Sequence, residues 1–332
     1  MNRIAVLGAG SWGTALSIHF AREGQQVSLW ARDAALARAM ASAAGNARYL
    51  PDVPFPSGVT PTASLEAALH GAAFVVVAVP SHGLRAVVRA AAPLIADHAI
   101  VVSAAKGLEV ESFQRMSQVI AAETSERLPV VVLSGPTFAV EVARGLPAAV
   151  LAASSDPDAA ARVQEHFRGR GLRLYASDDV AGVEVGGALK NVIAIAAGAV
   201  EGLGLGRNAM AALITRGLAE ISRLACAEGG RRDTLAGLSG LGDLVLTCTG
   251  DLSRNRHVGI ELGRGRTLDD ILSGMHMVAE GVRTTGAALA LGARHGIELP
   301  IAWQMQKVLE GRTSPSEAVD ALMGRRQRAE VE

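Results

Sequence analysis

Only two cysteines, Cys226 and Cys248, occur in 332 residues, and they make no metal-ligand or redox spacing. That excludes a disulfide framework and points to a reducing compartment, with both thiols expected in the core. An excess of charge is also lacking, since 32 basic side chains face 32 acidic ones. The usual electrostatic reason to expect nucleic acid or an anionic membrane as partner is therefore absent. Any anion must be caught locally. No uninterrupted apolar run approaches the ~20 residues of a membrane span. The opening MNRIAVLGAG has neither a signal-peptide apolar region nor a cleavage site. No stable membrane insertion and a cytoplasmic location are the expectations. The eight histidines include no HxxxH or HExxH arrangement, so no metal is expected. Aromatic residues are 3% of the chain, whereas glycines number 37. Such a chain packs backbone against backbone and leaves room for ligands beside the main chain.

The apolar fraction of 49% and charged fraction of 19% are those of a globular protein, and at ~150 residues per domain the length suggests two domains. The first half alternates β-branched runs with helical stretches. Strands are expected at Arg3–Leu7, Gln26–Ala31, Phe74–Val79, Ile100–Ser103, Val130–Leu133, Ala148–Ala153 and Leu172–Tyr175. Helices are expected at Trp12–Arg22, Ala34–Ala41, Gly83–Ala92 and Phe113–Thr124, with another starting at Asp156-Pro157. This alternation predicts an α/β fold with a parallel, doubly wound sheet of the Rossmann type. Asn46–Thr62 carries Pro51, Pro54, Pro56 and Pro61 and reads as an ordered surface loop. After Ser177 only helical patterns follow: Val183–Val200, Arg207–Glu228, Arg254–Gly263, Val282–His295 and Ile301–Leu309. The boundary is placed at Ala176–Ala181, giving a dinucleotide-binding domain over 1–178 and an all-α substrate domain over 179–332.

Gly8-Ala9-Gly10-Ser11-Trp12-Gly13 is a GxGxxG between a predicted strand and a predicted helix. In that place Gly8 permits the tight turn, Gly10 admits a pyrophosphate to the backbone, and Gly13 lets helix pack on strand. The N–H groups of Ser11 and Trp12 then face phosphate at the positive end of the helix. The second strand ends without the Asp or Glu of a typical NAD site. Trp30 stands there, placed to border the adenosine pocket, and Arg32 follows, suited to a 2′-phosphate. Asp33 next door blurs the distinction, so NADP(H) is favoured and NAD(H) is also admitted.

Lys106 follows IVVS in SAAKG, beyond the carboxyl end of a predicted strand, where α/β sheets bind ligands. An ordinary solvated loop lysine is the competing reading. Lys190 lies in a helix with almost no other charge, and its neighbours one turn away are Gly186, Gly187 and Ala194. An amine on so small a face is desolvated, which lowers its pKa toward the range of proton transfer. A lysine snorkelling to water from a helix end competes about evenly. Two glycines before Asp243 suggest a turn that delivers a carboxylate to a helix start. Ser253 reads as an N-cap, with Arg254 and Asn255 in the first turn of a phosphate grip. Alternatively, Asp243 only caps a helix and Arg254 is only a surface cation. Arg231, Arg232 and Arg256 read as solvated surface.

Taken together, GAGSWGTA from Gly8, NARYLP from Asn46, AVPSH from Ala78, SAAKGLE from Ser103 and SGPTFAVEVARGLPAAV from Ser134 resemble one family. GALKNVIAIAAG from Gly187, LSGLGDLVLTCTGDLSRNRHVG from Leu238 and VAEGVRTT from Val278 extend the match over essentially the whole chain. It is the bacterial NAD(P)-dependent sn-glycerol-3-phosphate dehydrogenase family. The resemblance implies reversible reduction of dihydroxyacetone phosphate to sn-glycerol 3-phosphate for phospholipid synthesis, by a cytoplasmic homodimer with a 6-phosphogluconate dehydrogenase-like helical domain. It implies that Lys190 is the general acid/base and that Lys106 touches both substrate and cofactor. Gly135, Thr137, Asp243, Ser253, Arg254 and Asn255 would contact substrate. Ser11, Trp12, Arg32, Ala139, Val278 and Glu280 would contact cofactor, with Arg254 reaching both. The alternatives are a dehydrogenase of the same architecture acting on a hydroxy acid or sugar acid, and a non-catalytic NAD(P)(H) sensor.

Overall fold

The structure is a computed structural model and describes residues 3–275, 279–327 and 329. Its strands are β1 (Arg3–Leu7), β2 (Gln26–Trp30), β3 (Gly45–Asn46), β4 (Leu50–Pro54) and β5 (Val59–Thr62), then β6 (Ala72–Val77), β7 (Ile100–Ser103), β8 (Val130–Ser134), β9 (Ala148–Ala153) and β10 (Leu172–Ser177). Seven helices accompany them: α1 (Ser11–Arg22), α2 (Ala34–Ala43), α3 (Leu65–Leu69), α4 (Ser81–Ala91), α5 (Met116–Glu123), α6 (Ala139–Arg144) and α7 (Pro157–Phe167). The helical part comprises α8 (Val180–Gly202), α9 (Gly206–Ala227), α10 (Arg232–Ala236), α11 (Asp243–Thr249) and α12 (Arg254–Gly263), followed by α13 (Leu268–Ser273), α14 (Glu280–Arg294), α15 (Pro300–Leu309) and α16 (Pro315–Met323).

Eight strands form one sheet in the order β10-β9-β8-β7-β6-β1-β2-β5. Side chains alternate across it, so Ile4 and Val6 join a core with Leu16, Phe20, Phe74 and Phe167. Ala5 and Leu7 join the opposite core with Val75, Leu84, Val101 and Met116. Apolar layers on both faces explain why these strands read as continuous hydrophobic runs.

Within the sheet and its flanking helices, three expectations need correction. The proline-rich interval is not loop throughout, because β3 and β4 form a small antiparallel pair and β5 joins the main sheet beside β2. Pro61 is tolerated there because β5 is an edge strand, where a missing N–H costs no ladder bond. The sheet is not wholly parallel, since β9 runs antiparallel to β8. The six-residue α6 and its loops join those two strands. Finally, the helix expected from Phe113 starts at Met116, because Phe113 adopts φ 61° and Leu108 pairs with Arg115 in a β-bridge.

In the helical part α8 is the axis, and every residue from Gly182 to Val200 is buried. It is long and apolar enough to cross a membrane, yet nearly all of it lies inside the protein. Its crossing with α12 is close: a Cβ on Gly198 would lie 2.0 Å from the Arg256 carbonyl oxygen, and one on Gly259 would lie 1.9 Å from that of Ile195. Glycine on both sides lets the two backbones touch. Cys248 is buried, whereas Cys226 is exposed on the last turn of α9, contrary to expectation. Leu108, just past β7, belongs to the helical core and so ties the two parts together.

Candidate active site

The turn from β1 into α1 has the geometry that a dinucleotide needs. Gly8 takes φ 118°, and a Cβ on Gly13 would meet the Gly8 carbonyl oxygen at 1.9 Å. A Cβ on Gly10 would meet nothing within 4 Å, so that side of the turn is open. Gly10 caps α1 without a side-chain bond, which leaves the first N–H groups of the helix facing this opening. The buried Trp12 Nε1 has no partner among the described residues. An open cradle at an uncapped helix start fits a pyrophosphate.

The adenosine end is less as expected. Trp30 is 7% exposed, packs in the core and donates to the Ala63 carbonyl at 3.0 Å, so it does not border a pocket. Arg32 is exposed. Asp33 is already engaged, accepting from Ala35 N at 2.8 Å as the cap of α2, with Arg48 at 3.9 Å from its other oxygen.

Across the cleft, Lys106 and Lys190 converge on one carboxylate. Lys106 Nζ donates to Asp243 Oδ2 at 2.7 Å and to the Gly135 carbonyl at 2.9 Å. Lys190 Nζ is paired with Asp243 Oδ1 and donates to Thr247 Oγ1 at 3.0 Å. Lys190 is 6% exposed and Asp243 1%. Burial pushes the Lys190 amine down to about 7, opposed by the attraction of Asp243 and reinforced by the charge of Lys106. Lys190 therefore does not snorkel. Asp243 opens α11 directly after a π-helical turn, Leu238–Gly242, whose Gly240 lies so near Leu235 that a Cβ would overlap its carbonyl oxygen at 2.0 Å. Gly187, on the face of α8 that carries Lys190, abuts Ser134 at the end of β8. Small residues thus bring the amine to the carboxyl end of the sheet. Trp12, Lys106, Ser134 and Thr137 line one small hollow, which joins the dinucleotide turn to Lys106.

The remaining candidates divide. Arg254 is open to solvent in a cleft whose walls lower its pKa by desolvation, while Glu280 acts to raise it. It makes no hydrogen bond or ion pair among the described residues. Ser253 caps α12 by accepting from Arg256 N at 3.2 Å. Asn255 turns inward, donating to Asn191 Oδ1 and accepting from Gly281 N, each at 3.0 Å, and so braces α8, α12 and α14. Thr137 donates to the Gly135 carbonyl at 3.2 Å, and Ala139 opens α6. Glu280 opens α14. Val278 lies outside the described residues. Arg256 is not a solvated cation, because it pairs with Glu201 and Asp251 at 12% side-chain exposure. Thr247 escaped the sequence reading, although its place one helical turn after Asp243 was a signal for it. Ser81, discussed below, carried no such signal.

Residues 3–160 match the model of the NAD-dependent glycerol-3-phosphate dehydrogenase N-terminus, and 179–320 match that of its C-terminus. The chain is 54% identical over 327 residues to the glycerol-3-phosphate dehydrogenase [NAD(P)+] of Thioalkalivibrio sulfidiphilus, covering 98% of each chain. It is also 54% identical to that of Acidobacterium capsulatum over 333 residues, again covering 98% of each. The crystal structure of glycerol-3-phosphate dehydrogenase from Coxiella burnetii superposes with a TM-score of 0.94 at 41% identity, covering 98% of this chain and 99% of that one.

Proposed function

The chain belongs to the NAD-dependent glycerol-3-phosphate dehydrogenase family, and from that footing we propose how its cleft works. The reaction is the NAD(P)-dependent interconversion of dihydroxyacetone phosphate and sn-glycerol 3-phosphate, which supplies phospholipid synthesis. The nicotinamide, when bound, supplies or accepts the hydride at C2 of the substrate. Everything else falls to side chains.

Lys190 gives a proton to the carbonyl oxygen during reduction and takes it back during oxidation. The observation that carries this assignment is a buried amine held at about 7, where donor and acceptor forms are both populated at neutral pH. Lys106 stabilises the negative charge that grows on the same oxygen. Asp243 holds both amines in register and offsets one of their charges. Arg254 takes the substrate phosphate, supported by the first N–H groups of α12 behind the Ser253 cap. The open side of Gly10 and the start of α1 would hold the pyrophosphate, and Arg32 would hold a 2′-phosphate, so NADP(H) is the preferred cofactor. Gly135, Thr137 and Asn255 frame the substrate, and Ala139, Val278 and Glu280 the cofactor, as the family resemblance implies. The domain division at about residue 178, the homodimer and the cytoplasmic location belong to the same proposal.

A substrate and cofactor panel tests it. Dihydroxyacetone phosphate should be reduced with a higher kcat/KM from NADPH than from NADH. Unphosphorylated dihydroxyacetone should be poor in kcat as well as KM, because remote binding energy orients the reacting carbon. Equal rates on both ketones would contradict the phosphate assignment.

A further inference from the structure

The strand order places β2 and β6 on either side of β1, so the direction of winding reverses between β1 and β6. A dinucleotide lies over the carboxyl ends of the strands at such a point. Beyond β6 the chain passes through Pro80, with no side chain capping the start of α4, and reaches Ser81 as the first helical residue. Ser81 is 5% exposed. Its hydroxyl donates to Glu280 Oε2 at 2.7 Å, and its backbone N–H approaches Glu280 Oε1 at 3.4 Å. These residues are 199 positions apart and belong to different parts of the fold, so the bond spans the cleft.

Two neighbours tie this contact to the chemistry. Gly107, next to Lys106, is packed so tightly that a Cβ there would lie 2.8 Å from the Ser81 side chain and 3.5 Å from Glu280 Oε2. On the other side, Gly281 donates to Asn255, which donates to Asn191 beside Lys190. The Glu280 carboxylate is therefore fixed at one end by Ser81 and at its backbone by the brace on α8. A carboxylate carries about four lone-pair sites, so one that accepts from Ser81 keeps acceptor capacity for hydroxyls of a ribose.

We propose that Ser81 is a positioning residue for cofactor binding, its hydroxyl holding Glu280 across the cleft in the posture that receives the cofactor's sugar. The proposal rests on the reading of Glu280 as a cofactor contact and adds the group that orients it. Without the hydroxyl, the long Glu280 side chain regains its rotamers and lies within the field of Arg254.

Fluorescence titration with NADPH, in the absence of substrate, gives Kd for the wild type, Ser81→Ala, Glu280→Ala, the double variant and Ser81→Thr. Ser81→Ala and Glu280→Ala should each weaken Kd on the order of 10-fold, the scale of one hydrogen bond to a charged group. The double variant should bind no more weakly than Glu280→Ala alone. Ser81→Thr, which keeps the hydroxyl, should restore wild-type Kd, and Ser81→Ala should keep its kcat at saturating NADPH. Additive losses, or a Ser81→Ala protein with unchanged Kd, would overturn the positioning role while leaving Glu280 as a contact. Unchanged Kd in Glu280→Ala would overturn the reading of Glu280 itself, and the proposal with it. A Ser81→Ala protein that melts lower and binds weakly while Ser81→Thr does the same would show a structural role only, and would also overturn it.

Discussion

Replacing Asp243 by Asn keeps the shape of the side chain and removes the one negative charge shared by two lysines. Its Oδ2 lies 2.7 Å from Lys106 Nζ, and Oδ1 is bonded to Lys190. Unit charges about 3 Å apart interact by about 5 kcal/mol at an effective dielectric of ~20. Relaxation and water entry reduce this, and breaking buried pairs costs about 3–5 kcal/mol in practice. At 1.36 kcal/mol per pKa unit, the lower end of that range lowers the Lys190 pKa by about two units. The wild-type amine sits at about 7 because Asp243 opposes desolvation, so the variant amine should titrate at roughly 5. A proton donor serves reduction only while protonated, so the reduction rate falls as pH rises through that pKa. The limb of the kcat profile for dihydroxyacetone phosphate should therefore move from about pH 7 to about pH 5. At pH 8 the variant should be roughly 10- to 100-fold slower, the smaller figure applying if the more acidic amine transfers its proton faster. Stopped-flow or steady-state loss of NADPH absorbance, at saturating substrate and across pH 4.5–9, reads this directly. A limb that stays near pH 7 would refute the argument that Asp243 sets the protonation of Lys190.

Four further outcomes follow from the geometry. Gly10→Ala should fold with wild-type Tm yet bind NADPH at least ten times more weakly, since its Cβ enters the open cradle. Gly13→Ala should instead lose about 3 kcal/mol of stability in denaturant unfolding, since its Cβ meets backbone. Arg254→Ala should cost roughly 2–5 kcal/mol in kcat/KM for dihydroxyacetone phosphate and leave dihydroxyacetone unaffected; equal loss on both would place the guanidinium elsewhere. Glu220, buried while accepting from Ile301 N at 2.7 Å and Ala302 N at 3.4 Å, is pushed up to about 7 by desolvation. Its folded pKa exceeds the unfolded value, so its contribution is full below about pH 4.5 and is lost as pH rises through 7. Glu220→Gln should remove about 3 kcal/mol of that decline, visible as a flatter Tm profile between pH 4.5 and 7.

The sequence made the strands and the dinucleotide turn legible because both rest on local rules. Apolar runs such as FVVVAV and the three spaced glycines need no knowledge of distant contacts. Lys190 was half legible, since glycine and alanine one turn away suggested a desolvated amine while a snorkelling lysine competed evenly. The partners of these groups were hidden, because Asp243, Lys106 and Ser81 meet their counterparts only after the two parts of the fold come together. Asp33 and Asn255 show the reverse difficulty. Each has the chemistry of a ligand contact, and each also carries a framework bond, one as a cap of α2 and the other as a brace. The reversal of β9 was hidden as well, since a short apolar strand carries no sign of its direction. One overlooked element did have a local signature: Ser314, Pro315 and Glu317 form the capping box that starts α16.

The most direct test of the account is the pH dependence of kcat for Lys190→Ala beside the wild type, with NADPH binding measured on the same preparations. The account predicts a fall of ~10²–10⁴-fold, loss of the titration limb near pH 7, and intact NADPH affinity. A variant that retains near wild-type kcat with that limb in place would contradict it.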